Sequence, residues 1–121
     1  MQLSTHFNSA EFACHCGCGQ DTVDPKLIDT LELIRATLNQ PIKILSGRRC
    51  KKHNTAVGGA KNSQHLLGKA ADIQIDGISP HDLYYKIVRL HNTGQAHIGG
   101  LGLYKTFVHV DVRNSIARWD G

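Results

Sequence analysis

Phe107-Val108-His109-Val110-Asp111-Val112-Arg113 alternates without a break: Val108, Val110 and Val112 fall on one side of an extended chain, and Phe107, His109, Asp111 and Arg113 on the other. It reads as a strand with an aliphatic face for a core and a second face that carries chemistry. Lys69 to Ile75 has the same form, with Ala71, Ile73 and Ile75 toward a core and Ala70, Asp72 and Gln74 away from it. Ile98 to Tyr104 holds Gly99, Gly100 and Gly102, which suits a strand lying close to another backbone or a ligand. Ile42 to Leu45, between Pro41 and the Ser46-Gly47 turn, is expected to be a short buried strand.

Two helices separate these strands. Asp24-Pro25 supplies an N-cap and a proline at the first helical position, and Leu27, Leu31, Ile34 and Leu38 then recur at helical spacing until Pro41. Ser79-Pro80 with Asp82 repeats that start, and Leu83, Ile87 and Leu90 carry a helix ending near Gly94. Ser46 to Lys69 is rich in Gly, Asn, Ser and Lys and reads as a long loop with one short helix. Loops of that length in a small domain are usually functional. The expected architecture is a single α+β domain over residues 1–121, a small antiparallel or mixed sheet flanked by helices.

Composition agrees with one globular domain: 121 residues, 40% hydrophobic and 20% charged, too apolar for disorder and too poor in Gly and Pro for a fibre. A net charge of +4 gives only weak attraction to polyanions. Arg48, Arg49, Lys51 and Lys52 are interrupted by Cys50 and have no interleaved aromatic residues, so no nucleic-acid partner is expected. No stretch approaches the roughly 20 apolar residues of a membrane span. Met1 to Ala13 contains Glu11 and lacks both a basic start and an apolar core, so synthesis in a cytoplasm without a signal peptide is expected. A monomer is expected.

His65, Asp72 and His109 are of the residue types that hold a catalytic zinc through N and O ligands while leaving one position to water. Bound water there has its pKa lowered to about 7. Spacing alone leaves this open, because eight histidines in 121 residues produce coincidental pairs and His-x6-Asp is a weaker pattern than His-Glu-x-x-His. His6, His53, His81 and His91 read as surface or helix-face residues, and His97 fits either reading. Three of four cysteines lie in Cys14-His15-Cys16-Gly17-Cys18 and the fourth is Cys50. That spacing is unlike a paired zinc ribbon, so a second metal site on Cys14, Cys16, Cys18 and Cys50, a redox role and buried inert thiols all remain open.

The run Ser63-Gln64-His65-Leu66-Leu67-Gly68-Lys69-Ala70-Ala71-Asp72, with the His109 strand, resembles the zinc D-alanyl-D-alanine peptidases of metallopeptidase family fifteen, whose pattern is Ser-x-His-x2-Gly-x-Ala-x-Asp followed by a distant His. Ser46-Gly47-Arg48-Arg49, Asn54, Gly58-Gly59 and Gly99 to Tyr104 also fit, so the resemblance runs from about Asp24 to Arg113. It implies a hedgehog/D,D-peptidase-like fold and a zinc ion on His65, Asp72 and His109. It also implies that Arg49 binds the substrate carboxylate or polarises its carbonyl, and that Ser63 holds the ligand loop or the substrate. The implied substrate is a peptidoglycan stem or cross-link peptide, cut next to a D-amino acid by a carboxypeptidase or an endopeptidase. The chain would then act on the cell wall as a phage endolysin, a virion protein or a prophage peptidase.

Some relatives place an acid three residues before the last ligand, where this chain has Thr106. Asp111, on the same strand face as His109, is then a candidate to orient the imidazole, to accept the proton from water, or to do both, and His97 is the other candidate. The missing acid also permits an alternative: a catalytically silent wall-binding or phage assembly module that keeps the fold.

Overall fold

The computed structural model describes residues 1–121. Helix α1 spans Pro25–Leu38, with the Asp24 side chain accepting from the Lys26 N–H and left-handed Asn39 ending it before Pro41. A short α2 spans Lys51–Ala56, and α3 spans Pro80–Asn92, capped by the Ser79 side chain accepting from the Asp82 N–H. Strands β1 Lys43–Ser46, β2 Ala70–Gln74, β3 Gly100–Leu103, β4 Val108–Asp111 and β5 Ala117–Asp120 form one mixed sheet in the order β1-β2-β4-β3-β5. Every pairing is antiparallel except β3 with β5. Single 3₁₀ turns occupy Ser9–Phe12 and Gln64–Leu67.

One face of the sheet makes the core. Ala71, Ile73, Leu101, Val108 and Val110 are buried with Leu27, Leu31 and Ile34 of α1 and Leu83, Ile87 and Leu90 of α3. These are the stripes that period-2 and period-3.6 patterning select. Phe7 and Phe12 of the N-terminal arm join the same cluster.

The expected α+β domain with a mixed sheet is observed. Three details differ from the sequence reading. The first strand is not buried: Lys43 is exposed and Ile44 to Ser46 are half-buried, because β1 is a sheet edge with a neighbour on one side only, and the buried Ile42 lies just before it. The long loop contains a 3₁₀ turn as well as the one short helix. Strand β5 was not expected; Ala117-Arg118-Trp119-Asp120 alternates, but over only four residues, too few to mark a strand, and it pairs in parallel along the edge that β3 offers.

Candidate metal centre

The second sheet face is assembled by register. Ser46 pairs with Asp72, Asp72 with His109, His109 with Gly102 and Gly102 with Trp119, so one row crosses all five strands. Neighbours in such a row stand side by side on one face, which brings Asp72 and His109 together although 37 residues separate them. His65 arrives from the 3₁₀ turn, whose Ser63 cap accepts from the His65 N–H at 3.2 Å. Gly68 ends that turn at φ 69°, and a side chain there would also overlap the Thr22 carbonyl.

The three side chains are buried, and a ligand atom from each lies within 4.8 Å of the others. His65 Nε2 is 3.2 Å and His109 Nδ1 is 3.0 Å from the same oxygen, Asp72 Oδ1. The far nitrogens are committed. His65 Nδ1–H donates to the Gly47 carbonyl at 2.7 Å, and His109 Nε2–H donates to Asp111 Oδ2 at 2.8 Å. With those protons on the far nitrogens, His65 Nε2 and His109 Nδ1 are left to face one carboxylate, an arrangement suited to a cation between them. This donor set fits zinc.

Electrostatics give the same answer. Burial alone would raise the Asp72 carboxyl, but the hydrogen bonds from His109 and His65 outweigh it and hold it well below the usual carboxylate range. Burial alone would lower His109, yet the bonds to Asp111 and Asp72 dominate and raise it. A slot that draws a proton onto a buried imidazole prefers positive charge.

Asp111 is fully buried beneath His109. Besides the His109 bond it accepts from the Gly100 N–H at 2.8 Å and from Arg113 Nη2 at 2.7 Å and Nε at 2.9 Å. Against the cost of burial, the bonds from His109 and Arg113 keep its carboxyl far below the ordinary range. Gly100 makes this possible, since a Cβ there would overlap the carboxylate.

Arg49 faces Asp72 Oδ2 at 3.5 Å through Nη2, while its Nε donates to Ser46 Oγ and its Nη1 to Asn54 Oδ1, both at 3.3 Å. Asn54 is buried and anchored to the Ala60 carbonyl at 2.9 Å. A cleft of about 410 Å³ opens above the cluster, bordered by Arg49, Gly59, Ser63, Tyr104, Phe107, Arg113 and Trp119. Tyr104 and Phe107 stack at 4.5 Å, and Trp119 donates to the Tyr104 hydroxyl at 2.9 Å. Trp119 also leans on the His109 ring at 5.1 Å.

The structure thus brings together His65, Asp72, His109, Arg49, Ser63 and Asp111. It does not bring His97 to them. With Leu101 opposite Val110 and Gly102 opposite His109, the chain before β3 runs past the end of β4, and His97 Nε2–H donates to the Arg113 carbonyl at 2.9 Å. That places His97 roughly 15 Å along the sheet from His109, in a separate cleft with Lys26 and Asp29. Tyr104, Trp119 and Asn54 were not read from sequence as cleft residues. Gly102, which leaves room for the Trp119 ring, was the one available signal for an aromatic neighbour.

A buried His-Asp-His cluster under an open cleft, on one face of a mixed sheet, defines a metallopeptidase-like centre. Residues 5–111 match the family described as Peptidase M15, and the chain belongs to that family. The probable peptidoglycan L,D-endopeptidase MepK of Haemophilus influenzae is 32% identical over 109 residues, covering 82% of this chain and 55% of that protein. The peptidoglycan L,D-endopeptidase MepK of Escherichia coli K12 is 30% identical over 99 residues, covering 74% of this chain and 51% of that protein. The chain spans about half the length of the curated relatives it matches.

Proposed function

We propose that the chain is a zinc-dependent peptidase that hydrolyses peptidoglycan peptides next to a D-amino acid, and that it cuts an L,D bond as an endopeptidase. The observation that carries this is the convergence of His65 Nε2 and His109 Nδ1 on Asp72 Oδ1 at the floor of the cleft. The relatives' described activity favours an L,D-endopeptidase over the D-alanyl-D-alanine carboxypeptidase or endopeptidase implied by the motifs.

His65, Asp72 and His109 would hold the zinc ion, which when bound would supply Lewis acidity at the floor of the cleft. The rest is done by the chain. Arg49, pinned by Ser46 and Asn54, presents a forked donor beside the cluster and binds a substrate carboxylate or the oxygen on which charge develops. Tyr104, whose oxygen already accepts from Trp119, keeps its own O–H to donate to a bound carbonyl or leaving amine. Ser63 fixes the turn that aims His65.

Asp111 acts as a positioning residue. Both its oxygens are occupied by donors, and those bonds hold its carboxyl below the ordinary range, which makes it a poor acceptor for a proton from water. It sets the His109 tautomer instead.

A second reading rests on a specific feature. The chain has only two glutamates, and both are engaged outside the cleft: Glu11 accepts from the Asn8 N–H, and Glu32 from His6. With Thr106 in the place of an acid, a wall-binding or assembly module without hydrolysis follows. Amine release from purified peptidoglycan, with chelator and with zinc restored, separates the two. Chelator-sensitive release, with fragment masses showing an L,D cut, is expected. A D-alanine product would make the chain a carboxypeptidase, and binding to the wall without release under any zinc condition would leave the silent module.

A further inference from the structure

We propose that Cys14, Cys16, Cys18 and Cys50 form a second, thiolate metal site that takes one zinc ion and clamps the N-terminal arm to the loop carrying Arg49. The four sulfurs lie within 4.8 Å of one another, and all four thiols are free. Cys16 Sγ stands 3.5 Å from both Cys14 Sγ and Cys50 Sγ. Four sulfurs on tetrahedral corners about 2.3 Å from a zinc ion are about 3.8 Å apart, so the cluster already has nearly the required size.

The backbone supports thiolates here. The Cys50 N–H donates to Cys14 Sγ, and the His53 N–H to Cys50 Sγ, each at 3.4 Å. Gly17 and Gly19 take left-handed φ of 83° and 85° and turn the chain so that three sulfurs within five residues face one point. The Cys14 N–H closes the same loop by donating to the Gln20 carbonyl at 2.8 Å. His15 to Gln20 are all exposed, so no apolar core holds Cys16 and Cys18 over Cys50. Soft sulfur ligands without a carboxylate select zinc over magnesium or calcium.

The consequence lies one residue away from the cleft. Cys50 follows Arg49 and caps α2, the helix that presents Asn54 to Arg49. The arm already touches this loop through the Arg48 N–H, which donates to the Phe12 carbonyl at 2.8 Å. Metal ligation closes that contact into a covalent-like tie between Cys14 and Cys50. The clamp itself does not depend on peptidase activity.

The test is metal counting on the intact protein. Two zinc ions per chain are expected, one of them released by a thiol-specific mercurial; Cys16→Ser with Cys18→Ser, both at exposed positions, should retain one ion, and so should His65→Ala. Cobalt-substituted protein should show thiolate-to-cobalt charge-transfer absorption that the double cysteine variant loses and the His65→Ala variant keeps. In that cysteine variant, hydrogen exchange at the Arg48 amide should accelerate at least about tenfold. A single ion per chain with four freely titrating thiols in the presence of zinc would overturn the proposal, as would cobalt protein without sulfur bands. A His65→Ala protein that loses its only ion would have the same meaning.

Discussion

Replacing Asp111 by Asn preserves the shape of a fully buried side chain and reverses the polarity of one atom. Oδ1, which accepts from the Gly100 N–H and from Arg113 Nε, can remain an oxygen. The amide nitrogen then replaces Oδ2, which accepts from His109 Nε2–H and Arg113 Nη2, so donors face donors. His109 escapes by moving its proton to Nδ1, the atom that faces Asp72, and its lone pair is withdrawn from the metal position. Loss of such an outer partner costs 10- to 100-fold in metal affinity. The tautomer reversal puts this variant near about 100-fold, or about 2.8 kcal/mol. The broken Arg113 pair adds a folding cost below the about 3–5 kcal/mol of a fully buried pair, since Arg113 is 28% exposed. Zinc competition against a chromophoric chelator, with amine release measured at saturating zinc, checks this. Affinity within twofold of the parent, with activity lost even at saturating zinc, would refute the positioning role and make Asp111 the proton acceptor.

Arg49→Lys keeps the charge but not the fork, and kcat/KM should fall about 100-fold at unchanged zinc content; an unaltered kcat/KM would remove Arg49 from the mechanism. His97→Ala should leave activity within about twofold, because the ring points into another cleft; a large kcat loss in pH-rate measurements would show otherwise. Gly102→Ala puts a Cβ 2.5 Å from the Trp119 ring, so the indole must leave His109; quenched or shifted tryptophan emission with weaker substrate binding is expected, and an unchanged spectrum would contradict the close approach. The metal-stripped chain has a pH optimum set by opposite shifts. The raised His109 stabilises the fold below about pH 6.5 and loses that contribution as pH rises through its folded value. The lowered Asp72 and Asp111 contribute above about pH 4 and lose it as pH falls toward their folded values. Zinc displaces the His109 proton, so zinc stabilisation should grow from about pH 6 to 8 while the stripped protein weakens; parallel melting curves for the two forms would disprove this linkage.

Local periodicity made much of this molecule legible. The Asp24-Pro25 and Ser79-Pro80 starts set both long helices, and the alternation around Asp72 and His109 located two strands and showed which side chains shun the core. The ligand set came from residue type in motif context, with Gly68 and Ser63 shaping the turn that carries His65. Strand β5 escaped because its alternation runs over only four residues, and Trp119 escaped with it. His97 fitted either reading and stood as a candidate base because register cannot be read from one strand alone.

The sequence by itself determined the helices, the buried stripes and the chemical types available at the site, since these depend on neighbours a few residues apart. Only the tertiary structure decided the row Ser46-Asp72-His109-Gly102-Trp119, the convergence of Cys50 on the Cys14 to Cys18 segment, and the pairing of Asp111 with Arg113 beneath His109. Those relations depend on strand order and register, which are fixed when distant segments compete to bury their apolar faces together. The candidate site lies on the face that this competition leaves for polar residues.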